Sequence, residues 1–162
     1  MIRGTVAVQV ACAPPVLWHI VTDITQMGVW SPECTGGRWI PPHDGPTVGA
    51  VFEGTNASRF GPLPAKKWTT TSVVTRSRPL ELFEFVTNDF TCWRYEFIEM
   101  DGRTRLTETF EHEPFAGQEH LRYNVLGNRY KAMLKSMQHT LDSIKRSVEA
   151  QLPAQTVSLG AD

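Results

Sequence analysis

YNVLGNRYKAMLKSMQHTLDSIKRSV, residues 123–148, is the stretch whose reading decides the fold. On a wheel of about 100° per residue, Leu126, Tyr130, Met133, Leu134, Met137, Leu141, Ile144 and Val148 fall within an arc of roughly 100°. Asn128, Lys131, Lys135, Asp142, Lys145 and Arg146 occupy the far side. At ~1.5 Å per residue the helix from Tyr123 to Val148 would be roughly 40 Å long. Its apolar face has to be buried, and what precedes it in the chain reads mainly as strands.

Working back from that helix, Pro114 to Gly117 forms the lead-in and Arg103 to Glu111 a strand. Asp101-Gly102 is the strongest hairpin signal in the chain and joins that strand to the Trp93-to-Glu99 run. Asn88-Asp89 separates the segments Leu82 to Thr87 and Thr91 to Glu99 as a second hairpin-like break. Trp68 to Thr75 is rich in Thr and Val, which suit a pleated, half-buried surface. Arg59 to Ala65, with Gly61, Pro62 and Pro64, reads as a loop. Ala50 to Ala57 is extended, Pro41 to Gly49 is a connection, and Arg38 to Ile40 is a short strand. The stretch from Trp30 to Gly37 breaks periodicity and reads as a loop. Before it, Thr5 to Ala11 alternates as a first strand, and Pro14-Pro15 opens a short helix carrying Val16, Leu17, Ile20 and Val21. Asp23 is a candidate N-cap for a second short helix with Met27 and Trp30.

One strand, two short helices, about six further antiparallel strands and a long helix indicate an α+β fold. A curved antiparallel sheet of about seven strands wraps the C-terminal helix. A chain of 162 residues suits one domain, expected over residues 1–150, with residues 151–162 as a flexible tail. Hydrophobic content of 41% and charged content of 20% argue against wholesale disorder. A formal charge of −1 argues against nucleic acid as a partner. No apolar run approaches the ~20 residues of a membrane span, and the alternating N-terminus does not resemble a signal peptide. Cys12, Cys34 and Cys92 are odd in number and widely spaced, which fits reduced thiols and a cytoplasmic protein.

The element order, together with Ala13-Pro14-Pro15, Trp30-Ser31-Pro32-Glu33-Cys34 and Gly36-Gly37-Arg38-Trp39, carries a family resemblance. Trp93-Arg94-Tyr95-Glu96 and Gly102-Arg103-Thr104-Arg105-Leu106-Thr107-Glu108 add to it. Over roughly Arg3 to Glu149 the chain resembles the polyketide cyclase/dehydrase branch of the START-like (SRPBCC) superfamily, and looks most like its small actinobacterial members. The resemblance implies the helix-grip fold of the birch-pollen allergen type. It also implies a deep apolar cavity between sheet and C-terminal helix, where lipids, polyketides or other hydrophobic molecules bind.

Strand alternation orients the candidate residues. Phe52, Gly54 and Asn56 share one face, Trp93, Tyr95 and Phe97 another, and Leu106, Glu108 and Phe110 a third, while Arg94, Glu96 and Arg105 point outward as solvated charges. Glu108 then lies between Leu106 and Phe110 on a cavity wall, where burial raises a carboxyl pKa and suits it to acid–base work or to anchoring a ligand. Asn56 offers a hydrogen bond. Trp30, Trp68, Phe85, Trp93, Tyr95 and Tyr130 offer aromatic surface with some polar edges. Met133 and Met137 on the long helix are adaptable gap-fillers. Arg129, Ser136, Thr140 and Ser147 lie beside the apolar arc, where polar selectivity can enter.

The five histidines form no HxH or HExxH, and no metal or other cofactor is expected. GxSxG, P-loop and GxGxxG patterns are also absent. Three functions follow in order. The first is a non-catalytic binding or carrier protein for a hydrophobic small molecule, monomeric or homodimeric. The alternative is a polyketide cyclase, aromatase or dehydratase using Glu108, Asn56 and Tyr130. The third is a protein-interaction or stress-related module.

Overall fold

The computed structural model describes residues 1–58, 65–113 and 129–151. Strand β1 (Ile2–Val10) is followed by helix α1 (Pro14–Thr22), a 3-10 turn (Ile24–Gln26) and the single-turn helix α2 (Met27–Trp30). Six strands come next: β2 (Cys34–Trp39), β3 (Val51–Ser58), β4 (Lys66–Arg78), β5 (Leu82–Thr87), β6 (Cys92–Met100) and β7 (Arg103–His112). Helix α3 (Arg129–Ala150) closes the described chain. The strands form one antiparallel sheet in the order β1-β7-β6-β5-β4-β3-β2, curved around α3, so the architecture is the helix-grip α+β fold.

No glycine or proline interrupts α3, and of its predicted stripe Met133, Met137, Leu141, Ile144 and Val148 are buried while Tyr130 and Leu134 are half-buried. Leu141, Ile144 and Val148 enter the main core with Leu17, Val21, Phe83 and Leu106. Each fully buried Leu or Ile there contributes about 1.5–3 kcal/mol. Met133 and Met137 join a smaller cluster around Phe110. Asp101 (φ 50°) and Gly102 (φ 74°) form the β6–β7 turn with the two positive φ values of a type I′ hairpin. Several expectations concern residues outside the described ones: the helix start at Tyr123 with Leu126 and Asn128, the lead-in at residues 114–117, the loop residues 59–64, and the tail beyond Gln151.

The structure corrects four readings. Cys34 to Gly37 is strand, not loop, and Gly37 serves close packing rather than turning. A Cβ on Gly37 would lie 2.7 Å from the Ile24 carbonyl oxygen, and one on Gly28 would lie 2.5 Å from that of Thr35. The 3-10 turn and α2 therefore rest directly on β2. Asp23 caps this 3-10 turn, accepting the Thr25 N–H at 3.2 Å, rather than a longer helix. Strand β4 outruns Trp68 to Thr75 at both ends, and its pairing with β5 shifts register between Val74 and Arg76.

The fourth correction is Arg94. It points outward but is not simply solvated: its Nε donates to Glu84 at 2.7 Å, and Nη1 lies 3.9 Å from Glu111. With Arg3 on Glu111 and Arg76 on Glu84, alternating charges cross five neighbouring strands, and Glu84 is 6% exposed beneath them.

The glycine packing separates two adjacent positions. Gly37→Ala should destabilise the protein by about 1–3 kcal/mol, because a backbone carbonyl must move. Gly36→Ala meets only Thr55 Oγ1 at 3.4 Å and should stay within about 0.5 kcal/mol of wild type. Urea denaturation of both variants checks this, and equal effects would contradict the packing assigned to Gly37.

Candidate functional site

Inward-facing side chains of β3 to β7 and one face of α3 enclose a cavity of about 170 Å3. Alternation along each strand decides which residues reach it. Strand β3 supplies Phe52, Gly54 and Asn56; β4 supplies Trp68, Thr70 and Ser72; β5 supplies Phe83, Phe85 and Thr87. Trp93 and Tyr95 come from β6, Glu108 from β7, and Met133, Ser136, Met137 and Thr140 from α3. Rings pack in series along one wall: Phe52 is 4.9 Å from Phe85, which is 5.6 Å from Phe83.

Tyr95 and Glu108 are direct partners across the β6–β7 ladder, so their side chains emerge on the same face side by side. Tyr95 Oη donates to Glu108 Oε1 at 2.8 Å. Glu108 is 4% exposed, and its Oε2 has no hydrogen-bond partner among the described residues. Burial pushes its pKa up to about 8, against a smaller downward pull from the Tyr95 hydrogen bond. Burial also drives the Tyr95 phenol well above its ordinary value, and the neighbouring Glu108 adds to this. At neutral pH both groups are therefore protonated, and one carboxyl oxygen is left over.

Asp89, in the β5–β6 turn, is the opposite case. It sits at the exposed rim, where burial raises its pKa, but hydrogen bonds from the Thr87 hydroxyl and from Thr91 outweigh that and hold it below the usual range. Thr91 Oγ1 also lies 3.1 Å from His112 Nδ1. Cys34 lines the cavity, but burial and the charge of Glu33 push its thiol up, so it is not poised as a thiolate. Among the described residues no three His, Cys, Asp or Glu side chains gather as metal ligands would.

The candidates Phe52, Asn56, Trp68, Phe85, Trp93, Tyr95, Glu108, Met133 and Met137 thus come together around one space. Trp30, Leu106 and Tyr130 do not line it, which corrects their placement. Leu106 shares the face of Glu108 but pairs with Phe97 one step deeper and is fully buried in the main core. Tyr130 packs its ring on Phe110 and donates its hydroxyl to the Arg3 carbonyl. Trp30 packs against the main core, its indole Nε1 buried with no partner among the described residues. Asn56 does reach the cavity, but its amide already donates to Thr70 Oγ1 at 3.3 Å. Ser136 and Thr140 line the wall as their place beside the arc suggests; Ser147 does not, and the side chain of Arg129 is outside what is described. Thr70 and Ser72 were findable from Trp68 by alternation. Asp89 was not, since a turn residue carries no facing signal.

Burial of Glu108 makes stability depend on pH. The folded protein keeps the Glu108 proton up to about 8, whereas the unfolded chain releases it near 4.5. This contribution is therefore undiminished below pH 4.5, and as pH rises from there to about 8 the folded state loses roughly tenfold in its equilibrium per pH unit. Glu108→Gln cannot ionise and should remove that slope, becoming the more stable protein at pH 8. Urea denaturation at pH 5, 6, 7 and 8 checks it, and parallel curves would refute the burial assigned to Glu108.

The family model described as polyketide cyclase / dehydrase and lipid transport matches residues 1–149. No match is found among curated proteins. Among solved structures, the polyketide cyclase-like protein Cgl2372 of Corynebacterium glutamicum is 28% identical, with 96% of each chain covered and a TM-score of 0.66. Protein Ms6760 of Mycobacterium smegmatis is 20% identical over 93% of this chain and 92% of its own, with a TM-score of 0.65. TTHA0849 of Thermus thermophilus is 14% identical over 92% of this chain and 98% of its own, also at 0.65. The last two show the shared fold alone. With its model matching nearly the whole of the described fold, the chain belongs to the polyketide cyclase / dehydrase and lipid transport family.

Proposed function

We propose that this protein binds a compact hydrophobic molecule in the cavity between sheet and α3, anchoring one polar group of that molecule on Glu108. The observation that carries this reading is the free Oε2 of a buried carboxyl facing an aromatic-walled space. An oxygen without a partner in a protein interior costs free energy, and a ligand group that meets it recovers that cost. The volume limits the ligand. Engineered apolar cavities of about 150 Å3 admit a benzene ring, so about 170 Å3 suits one ring with a short substituent rather than an extended acyl chain. The family description, which includes lipid transport, is consistent with carriage of a hydrophobic cargo.

A second reading, a cyclase, aromatase or dehydratase, is favoured by one observation: Glu108 and Asp89 face the same cavity with pKa values displaced in opposite directions. The protonated Glu108 would act as acid and the ionised Asp89 as base. Asn56 and Tyr130 drop out of this scheme, the first engaged by Thr70 and the second turned toward β1. Under this reading Glu108→Gln abolishes turnover of a carbonyl substrate while leaving its binding intact.

Binding itself is tested with single-ring compounds, following Trp68 and Trp93 fluorescence and amide NMR shifts. Saturable one-to-one binding is expected, with shifts confined to the cavity-lining strands and α3. Ser136→Phe places a ring in the cavity and should weaken binding by at least tenfold, about 1.4 kcal/mol, at unchanged fold. Shifts that map elsewhere, or binding that survives Ser136→Phe, would reject the cavity as the site.

A further inference from the structure

Tyr95 and Glu108 hold two protons between them and share one hydrogen bond. Both side chains are buried, and burial keeps the phenol and the carboxyl in their neutral forms at pH 7. Tyr95 Oη donates to Glu108 Oε1 at 2.8 Å, so Oε1 serves as the acceptor oxygen of the acid. The carboxyl proton is thereby placed on Oε2, which meets no partner among the described residues. Were the bond reversed, with the acid donating to the phenol, the phenol proton would be the one left over. In either arrangement one O–H of the pair remains unused beside the cavity that both residues line. Neighbouring polar groups of the wall are already engaged: the Asn56 amide donates to Thr70 at 3.3 Å, and the Thr140 hydroxyl to the Ser136 carbonyl at 3.0 Å.

We propose that the Tyr95–Glu108 pair presents a hydrogen-bond donor to the cavity and selects a compact ring compound that carries a carbonyl oxygen. The proposal rests on the binding reading above and adds the ligand class. The carbonyl accepts the O–H of Glu108 Oε2, while the ring lies against Phe52, Phe85 and Trp93. An apolar molecule of the same shape leaves that buried O–H without an acceptor, and a ligand offering only an N–H sets one donor against another. Tyr95 is the positioning residue of this arrangement, because its hydroxyl occupies the one oxygen of the acid that could have accepted from a ligand.

The donor is lost when Glu108 ionises, so carbonyl affinity should follow its proton. The titratable groups around the cavity come from several elements. Tyr95 lies on β6, Glu33 and Cys34 at the start of β2, and Asp89, within the field of His112, in the β5–β6 turn. Lys66 of β4 stands over the Trp68 ring at 5.9 Å. Strand β1 places Val6 opposite Glu108, and the residues of α3 that line the cavity do not titrate. Glu108→Gln separates Glu108 from these groups: with Tyr95 donating to the amide oxygen, the amide N–H2 remains as a donor that no pH change in this range removes.

Isothermal titration calorimetry with acetophenone, α-methylstyrene and indole compares a carbonyl, its apolar isostere and an N–H donor. At pH 7 acetophenone should bind at least about tenfold more tightly than either of the others. Its affinity should be level from pH 6 to 7 and fall as pH rises through about 8, the value for Glu108. Glu108→Gln should keep the preference for acetophenone and lose the pH dependence. Tyr95→Phe frees the acceptor oxygen of the acid and should raise indole affinity toward that of acetophenone, a change in preference that a merely structural role for Tyr95 would not produce. Should either variant fail to fold, the infrared carbonyl band of acetophenone bound to the wild type decides: it should lie below its position in hexane. An unshifted band, or affinity that rises with pH, overturns the proposal. If α-methylstyrene or indole binds as tightly as acetophenone, only this inference falls, and if none of the three binds, the cavity-binding reading falls too.

Discussion

Among the described strands β1 pairs on one side only, with β7, and its outer edge is the constraint around which the described fold is arranged. Unpaired strand edges leave backbone groups that need partners and invite pairing with other chains. Helix α3 meets that need with side chains along its whole described length. Tyr130 donates to the Arg3 carbonyl, Lys145 to the Gln9 carbonyl, and Glu149 accepts the Ala11 N–H at 3.0 Å. Fixed to the edge by these bonds, α3 has its apolar stripe directed across the concave face of the sheet. Its C-terminal half closes the main core through Leu141, Ile144 and Val148, whereas Met133, Ser136, Met137 and Thr140 face the cavity.

The same geometry explains which features were legible in the sequence. The stripe of α3 and the Asp101-Gly102 turn are local signals, complete within a few residues; the turn appears as read, and so does the stripe over the described part of the helix, Arg129–Ala150. Alternation from Trp93 to Phe97 and from Leu106 to Phe110 likewise orients Tyr95 and Glu108 correctly, since neither strand carries a bulge there. Legibility fails where meaning depends on a distant neighbour. Gly36 and Gly37 look like loop residues until Ile24 is seen lying against Gly37. Tyr130 belongs to the apolar stripe, yet it serves the β1 edge because of where the helix begins to contact Arg3. Leu106 and Glu108 share a face but differ in depth, and depth is a property of how the sheet curves.

Burying Glu108 is expensive for the fold. A carboxyl removed from water with one oxygen unsatisfied lowers stability, and neutralising it by retaining the proton only reduces the loss. An apolar residue at this position would pack against Phe110 and Tyr95 without that penalty. The sheet elsewhere handles its charges differently: Glu84, almost equally buried, is held by Arg94, Arg76 and the Thr75 hydroxyl. One carboxyl is thus fully partnered on the outer face, and its counterpart on the inner face is left half-partnered beside an open volume. That contrast is what supports the proposal that the second partner of Glu108 comes from outside the chain.

How that oxygen comes to face the cavity traces back to a two-residue turn. In β7 a slip of one residue would exchange Glu108 for Thr107 or Thr109 and turn the carboxyl to the outer face. The register of β7 on β6 starts at Met100 opposite Arg103, immediately beyond Asp101 and Gly102, whose positive φ angles are those of a two-residue connection. Counting outward from that turn, Phe97 meets Leu106, Tyr95 meets Glu108 and Trp93 meets Phe110. The first pair enters the core, the third ends against Met133 and Tyr130, and the second is left at the cavity with a phenol and a carboxyl in contact. The chemistry of the site therefore depends on a turn several residues away: a register slipped by one residue at that turn would remove the Glu108 carboxyl from the cavity.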